Sequence, residues 1–164
     1  MQNSHTLQRR RYLAASFFIV CILSFAIYIQ QHDSLNPCPL CIFERIIMGA
    51  LGVSFFLGAI ISLNKLGRIF IGCLSLFFSV SGIIFSARHV WIQHFSPGQS
   101  DCSMGLLYLI KIMPIHEVIM KVFEGGVECA KIDWTFLTLS LPAWALICFS
   151  GFFLLSLFQL SRAA

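Results

Sequence analysis

Two cysteines three residues apart, Cys38 and Cys41, stand where a polar stretch gives way to a long apolar run, and Arg45 follows four residues after the second. If the apolar run is a helix, Cys41 falls in its first turn, where free N–H groups and the macrodipole favour an anion. A thiolate held there is the better electron donor or metal ligand. Pro39 keeps the pair in a tight turn and opens the helix cleanly, since its ring fixes φ and its missing N–H would have gone unpaired. Arg45 lies one turn below Cys41 on the same face and adds a fixed positive charge. A disulfide that only braces a loop requires none of this. The stretch is built for redox chemistry at a membrane surface.

The elements that must position this pair are membrane helices. Of 164 residues, 58% are hydrophobic, 11% are charged and 17 are phenylalanine, with a mean hydropathy of +0.85. A soluble domain would carry about 25% charged residues. The long uncharged runs predict an all-α integral membrane protein, a single domain over residues 1–164 with spans at about 12–29, 42–63, 69–90 and 139–160. The basic start, Arg9-Arg10-Arg11, resembles a secretory or twin-arginine leader. However, the apolar run is long for a leader and Gln30-Gln31-His32-Asp33 supplies no cleavage site. It reads as an uncleaved first span. Basic residues are scattered or sit at helix ends, which is no nucleic-acid footprint. Glycines such as Gly52, Gly58 and Gly82 suit close helix contact but are also ordinary in membrane helices.

Topology follows from charge. Arg9, Arg10, Arg11, Lys65, Arg68 and Arg162 fall at the two ends and the 64–68 turn, with no acid among them. The other loops, about 30–41 and 91–138, hold Lys111, Lys121 and Lys131 against Asp33, Asp101, Glu117, Glu124, Glu128 and Asp133. The positive-inside rule makes both termini cytoplasmic and these two loops outer. In a bacterium the outer face is the periplasm, where disulfides persist. In the second loop, residues 104–113 and 116–123 read as short interfacial helices.

Four of the seven cysteines (Cys38, Cys41, Cys102 and Cys129) lie in the outer loops, and Cys21, Cys73 and Cys148 lie inside spans as small apolar residues. Four cysteines allow three connectivities; Cys38–Cys41 with Cys102–Cys129 is the simplest. Two bracing disulfides would also account for them. A zinc site is disfavoured because the second pair lacks close spacing, so no metal is expected. Cys-x-x-Cys-His haem attachment is excluded by Ile42. Arg45 could be only a snorkelling anchor, and His89 only an interfacial residue. His32 and His94 read as plain surface residues, and Trp91 and Gln93 suggest no role.

Three segments carry a resemblance to a known family. They are Cys38-Pro39-Leu40-Cys41-Ile42-Phe43-Glu44-Arg45, Arg88-His89-Val90-Trp91, and Glu128-Cys129-Ala130 with Trp134 and Leu141-Pro142-Ala143-Trp144. With four spans and two outer cysteine pairs, the chain resembles the bacterial disulfide bond formation protein B (DsbB) family over nearly its whole length. The resemblance implies a four-transmembrane-helix bundle in the inner membrane, which reoxidises a periplasmic DsbA-type thiol oxidase and passes the electrons to membrane quinone, ubiquinone or menaquinone. It implies that Cys102 forms the mixed disulfide with that partner and that Cys129 then exchanges with Cys38. Cys41 is left as the thiolate that meets the quinone, with Arg45 and His89 at the quinone site. Two other functions compete. A vitamin K epoxide reductase-like protein would place its quinone-facing pair after the loop cysteines, the reverse of the order here. A stapled, non-catalytic membrane scaffold would tolerate loss of Arg45.

Overall fold

The computed structural model describes residues 2–32, 38–60, 65–95, 110–124, 127–130 and 134–161. Cys102, Asp33, Arg162 and the 104–109 part of the expected interfacial helix lie outside them. Within the described residues the chain forms α1 (Gln2–His32), α2 (Pro39–Ile60), α3 (Lys65–Phe95), α4 (Ile115–Glu124), α5 (Val127–Ala130), a two-strand hairpin of β1 (Thr135–Phe136) and β2 (Leu139–Ser140), and α6 (Leu141–Ser161). Four of these, α1, α2, α3 and α6, are long and apolar enough to cross a membrane. Helices are the natural solution there, because each backbone N–H and C=O must find its partner within the segment.

The four spans form a bundle in which α1 packs on α2, α2 on α3 and α3 on α6. Large apolar side chains face outward, as lipid contact permits: Phe17, Phe70 and Phe77 are each more than 60% exposed. The interior joins Tyr12, Ile19, Leu51, Phe55 and Phe149. Close approach depends on small residues. A Cβ at Gly82 would fall on the Phe149 ring, and one at Gly52 would stand 2.9 Å from Ile19 Cγ2. Beside Gly82 on α3, Ser75 and Ser79 are fully buried, their hydroxyls donating to the carbonyls of Ile71 and Ser75 at 2.8 Å. This backbone bond lets a small polar residue sit in an apolar interior.

Boundaries depart from expectation where polar residues continue a helix. Each of α1 and α3 has 31 residues, about 46 Å of helix against a hydrocarbon core of about 30 Å. The basic turn of α1 therefore extends beyond its apolar run. At its other end α3 runs to Phe95, five residues past the expected 90, and so carries Gln93 to the hairpin. The fourth helix begins at Leu141 rather than 139, because residues 139–140 form β2. Buried Gln93 secures that junction: its Oε1 accepts a 2.7 Å hydrogen bond from the Ser140 hydroxyl. The hairpin itself was not foreseen.

The steric role of Gly82 predicts a contrast. Gly82→Ala overpacks the α3–α6 contact and costs about 1–3 kcal/mol. Gly49→Ala meets nothing within 4 Å and gains up to about 1 kcal/mol from helix propensity. Thermal unfolding in detergent measures both; equal melting temperatures would remove the contact from the account.

Candidate thiol-exchange site and apolar cavity

Cys38 is the N-cap of α2. Its carbonyl accepts the first helical hydrogen bond, from Ile42 N–H at 3.2 Å, and its sulfur takes one from Cys41 N–H at 3.4 Å. The sulfur occupies the place of the usual Ser or Asp oxygen at a helix start. Cys38 Sγ and Cys41 Sγ are thereby brought to 3.3 Å, within reach of bond formation after a small rotation.

Two further groups meet the same sulfur. His89 Nε2 lies 3.6 Å from Cys38 Sγ, and the sulfur of Cys129, on α5, lies within 4.8 Å of both Cys38 Sγ and the His89 ring. All three residues are buried. On Cys38, hydrogen bonding to Cys129 acts to lower the thiol pKa, but the contact with Cys41 and burial outweigh it, so the thiol stands above its ordinary value. Behind His89, Glu44 Oε1 is 3.0 Å from Nδ1, and this carboxylate is also buried.

The short helix α5 that carries Cys129 packs on α3 and α2, and α4 joins the same apolar cluster through buried valines, the nearer of them seven positions before Cys129. Val118 and Val122 are buried against Leu40 and Ile92 in one cluster with Cys38 and Cys129, while Ile115 and Met120 face outward. Such two-sided apolarity suits a helix lying at a membrane surface. Aromatic rings fasten it: Phe43 stacks on Phe85 at 5.8 Å, and Phe85 meets Phe123 edge-on at 5.9 Å. Arg88 Nε donates to the Phe123 carbonyl at 3.0 Å, satisfying an end of α4. Arg88 is thus a structural clamp at the motif that carries His89.

Cys41 faces the other way, onto an apolar cavity of about 330 Å³ between α1, α2 and α6. Arg45, Glu44, Met48, Trp134, Phe136 and Trp144 are among its walls. The hairpin forms one rim. Phe136 stacks on Trp134 at 6.0 Å, and Trp144 Nε1 donates to the Phe136 carbonyl at 3.1 Å. Its turn is tight, with Leu137 and Thr138 both at positive φ (50° and 66°). Arg45 is tied to the end of α1: Nη1 donates to Gln30 Oε1 and Nη2 to the Ala26 carbonyl at 3.4 Å. Its Nε is buried and has no hydrogen-bond partner among the described residues.

The expected residues therefore divide. Cys38, Cys41 and Cys129 come together, and Cys41 and Arg45 share the cavity. His89, expected near the quinone site, stands at Cys38 and is not one of the described residues that line the cavity. Sequence reasoning missed Glu44 as the partner of His89 and Gln30 as that of Arg45. The available signal was an acid facing inward in the first turns of a membrane span, which marks a functional position.

Residues 8–159 match the family described as "Disulfide bond formation protein DsbB". The chain belongs to the DsbB family. It is 38% identical to a disulfide bond formation protein B of Methylococcus capsulatus over 152 residues, 92% of this chain and 93% of the relative. It is 40% identical to one of Acinetobacter baumannii, covering 85% and 83% of the two chains. A relative from Xanthomonas axonopodis pv. citri is 41% identical over 86% and 84%. This DsbB-family chain is a multi-pass membrane protein of disulfide bond formation, with the role of a thiol oxidoreductase.

The geometry predicts a specific cross-link. With Cys41→Ser, mild oxidation forms a Cys38–Cys129 disulfide, read by peptide mapping without reductant. Val118→Asp, which places a charge in the α4 contact, lowers its yield several-fold. A yield indifferent to Val118 would mean that α4 does not position Cys129.

Proposed function

We propose that the chain is a quinone-dependent protein dithiol oxidase. It reoxidises a DsbA-type thiol oxidase of the periplasm and relays the electrons through two cysteine pairs to ubiquinone or menaquinone in the membrane. One observation carries the reading. Cys38 Sγ touches Cys41 on one side and approaches Cys129 on the other, while Cys41 opens onto the apolar cavity. That is a sulfur path from an outer loop to a lipid-soluble acceptor.

The cavity residues fit such an acceptor. Apolar and aromatic walls suit a flat ring, and the unpartnered Nε of Arg45 is a buried donor that wants an acceptor oxygen. When bound, a quinone supplies a two-electron, two-proton sink that diffuses in the bilayer. Cys41, Arg45 and the aromatic rim would hold it.

The chain's own residues do the exchange. Following the family resemblance, Cys102 takes the partner in a mixed disulfide and Cys129 leaves as the thiolate. Cys129 Sγ attacks Cys38 Sγ: the 129–38 bond forms, the 38–41 bond breaks, and the electron pair stays on Cys41. The first turn of α2 and the Arg45 guanidinium stabilise that thiolate at the cavity wall. The rim of Trp134, Phe136 and Trp144 limits water, which strengthens each charge contact inside. The basic residues at the chain ends and the 64–68 turn support an inner-membrane placement with both termini cytoplasmic.

The test is quinone reduction by purified protein in detergent, with a reduced DsbA-type protein as donor. Cys41→Ser abolishes turnover, and Arg45→Ala lowers it about 10²-fold, the loss typical of one preorganised donor. Well-folded protein that reduces no quinone with any such donor would favour the stapled scaffold.

A further inference from the structure

Closing the Cys38–Cys41 disulfide from two thiols releases two electrons and two protons, and a quinone needs both. The sulfur path accounts for the electrons only. The protons must leave a buried site: Cys38 is 4% exposed and His89 1%.

The side chains around Cys38 contain a route. His89 presents Nε2 to Cys38 Sγ at 3.6 Å and Nδ1 to Glu44 Oε1 at 3.0 Å. A carboxylate accepting from Nδ1–H leaves the Nε2 lone pair facing the thiol, the arrangement by which a histidine serves as base to a cysteine. Unlike a carboxylate that only orients the ring, Glu44 also lines the cavity where Cys41 stands. It touches both ends of the reaction.

We infer that His89 and Glu44 form a proton conduit from Cys38 to the cavity, parallel to the electron path through Cys41. This rests on the oxidase reading above. Cys102 Sγ first attacks Cys129 Sγ, so that the 102–129 bond re-forms, the 129–38 bond breaks and Cys38 leaves and takes up a proton. As Cys38 then joins Cys41, its S–H bond breaks and the proton goes to His89 Nε2. The Nδ1 proton passes to Glu44, which holds it at the cavity wall for the reduced quinone-class acceptor. The electron pair leaves through Cys41, which became a thiolate when the 38–41 bond broke; the acceptor's second proton comes from the aqueous side. His89 is then a catalytic residue, since it touches a reacting sulfur, and Glu44 is a proton carrier acting through it. Among the described residues, the titratable groups around this pair are Cys38, Cys41 and Cys129. Arg45 is the nearby fixed charge on the cavity wall, and it bonds to Gln30 and Ala26 on α1.

Two measurements on the full chain test this, one of which needs no acceptor. Thiolate absorbance of the fully reduced protein is titrated with pH, and Cys38→Ser serves as the blank that isolates Cys38. Removing the base makes the Cys38 proton harder to lose, so Glu44→Gln and His89→Asn move its titration to higher pH by about one unit or more. Glu44→Gln keeps an oxygen for Nδ1–H, so folding persists while the proton acceptor is gone. The second measurement is the rate of Cys38–Cys41 disulfide formation in one turnover with a short-chain quinone. Glu44→Gln slows it about 10²-fold, the lower range for general acid–base catalysis.

An unchanged Cys38 titration in both variants would overturn the conduit and leave the pair as packing. A shifted titration with an unchanged rate would overturn it too, since the proton would be leaving another way. A wild-type protein that passes no electrons to quinone, with a Cys38 titration still dependent on Glu44, would overturn the oxidase reading and the conduit's destination while leaving the pair intact.

Discussion

The Cys38 sulfur is the point on which the site depends, because it caps a helix. An N-cap side chain must turn back toward the first-turn N–H groups, and this fixes the sulfur beside Cys41 in the third position of the helix. The same geometry leaves its outer side open to whatever packs across the start of α2. The bundle places His89 there from α3 and Cys129 from α5. A serine cap would satisfy the backbone equally well, but only sulfur makes the cap a redox partner.

The rest of the structure holds other groups at that point. Alone, α5 is one turn of four residues and could not fix a cysteine by its own stability. It packs on α3 and α2, and beside it lies α4, whose valines fill the space over Leu40 and Ile92 and whose end is clamped by Arg88 and the Phe43–Phe85–Phe123 ring series. On the far side of Cys41, the hairpin and Trp144 wall a cavity that opens among membrane helices. The site thus stands between the short helices that bring sulfur in and an apolar chamber among the membrane-length helices. This division suits a thiol oxidoreductase whose proposed donor is a protein and whose proposed acceptor is a lipid.

Much of this was legible in the sequence where the signal is local. Pro39 after Cys38, the uncharged runs and the four-residue step to Arg45 each follow from helix geometry within one segment, and the cap and four spans are where they indicate. Contacts between segments were not legible. Glu44 and His89 are 45 positions apart on different helices, and nothing in either stretch names the other. The Ser140–Gln93 bond escaped for the same reason. The hairpin failed differently: Leu137 and Thr138 adopt positive φ without the Gly or Asn that marks such turns. Its conformation is imposed by the aromatic rim rather than by local preference. The expected placement of His89 near the quinone site depended on family likeness alone, and the ring meets Cys38.

The central claim is that Cys38 is the switch point and Cys41 the terminal thiol. It is tested most directly by mixing oxidised protein with a reduced DsbA-type donor, anaerobically and without quinone, and trapping thiols by rapid acid quench and alkylation. Mass spectrometry then reads which cysteines were caught. The account predicts Cys41 alkylated, with Cys38 joined to Cys129. Alkylated Cys38, with Cys41 held in the disulfide instead, would contradict it.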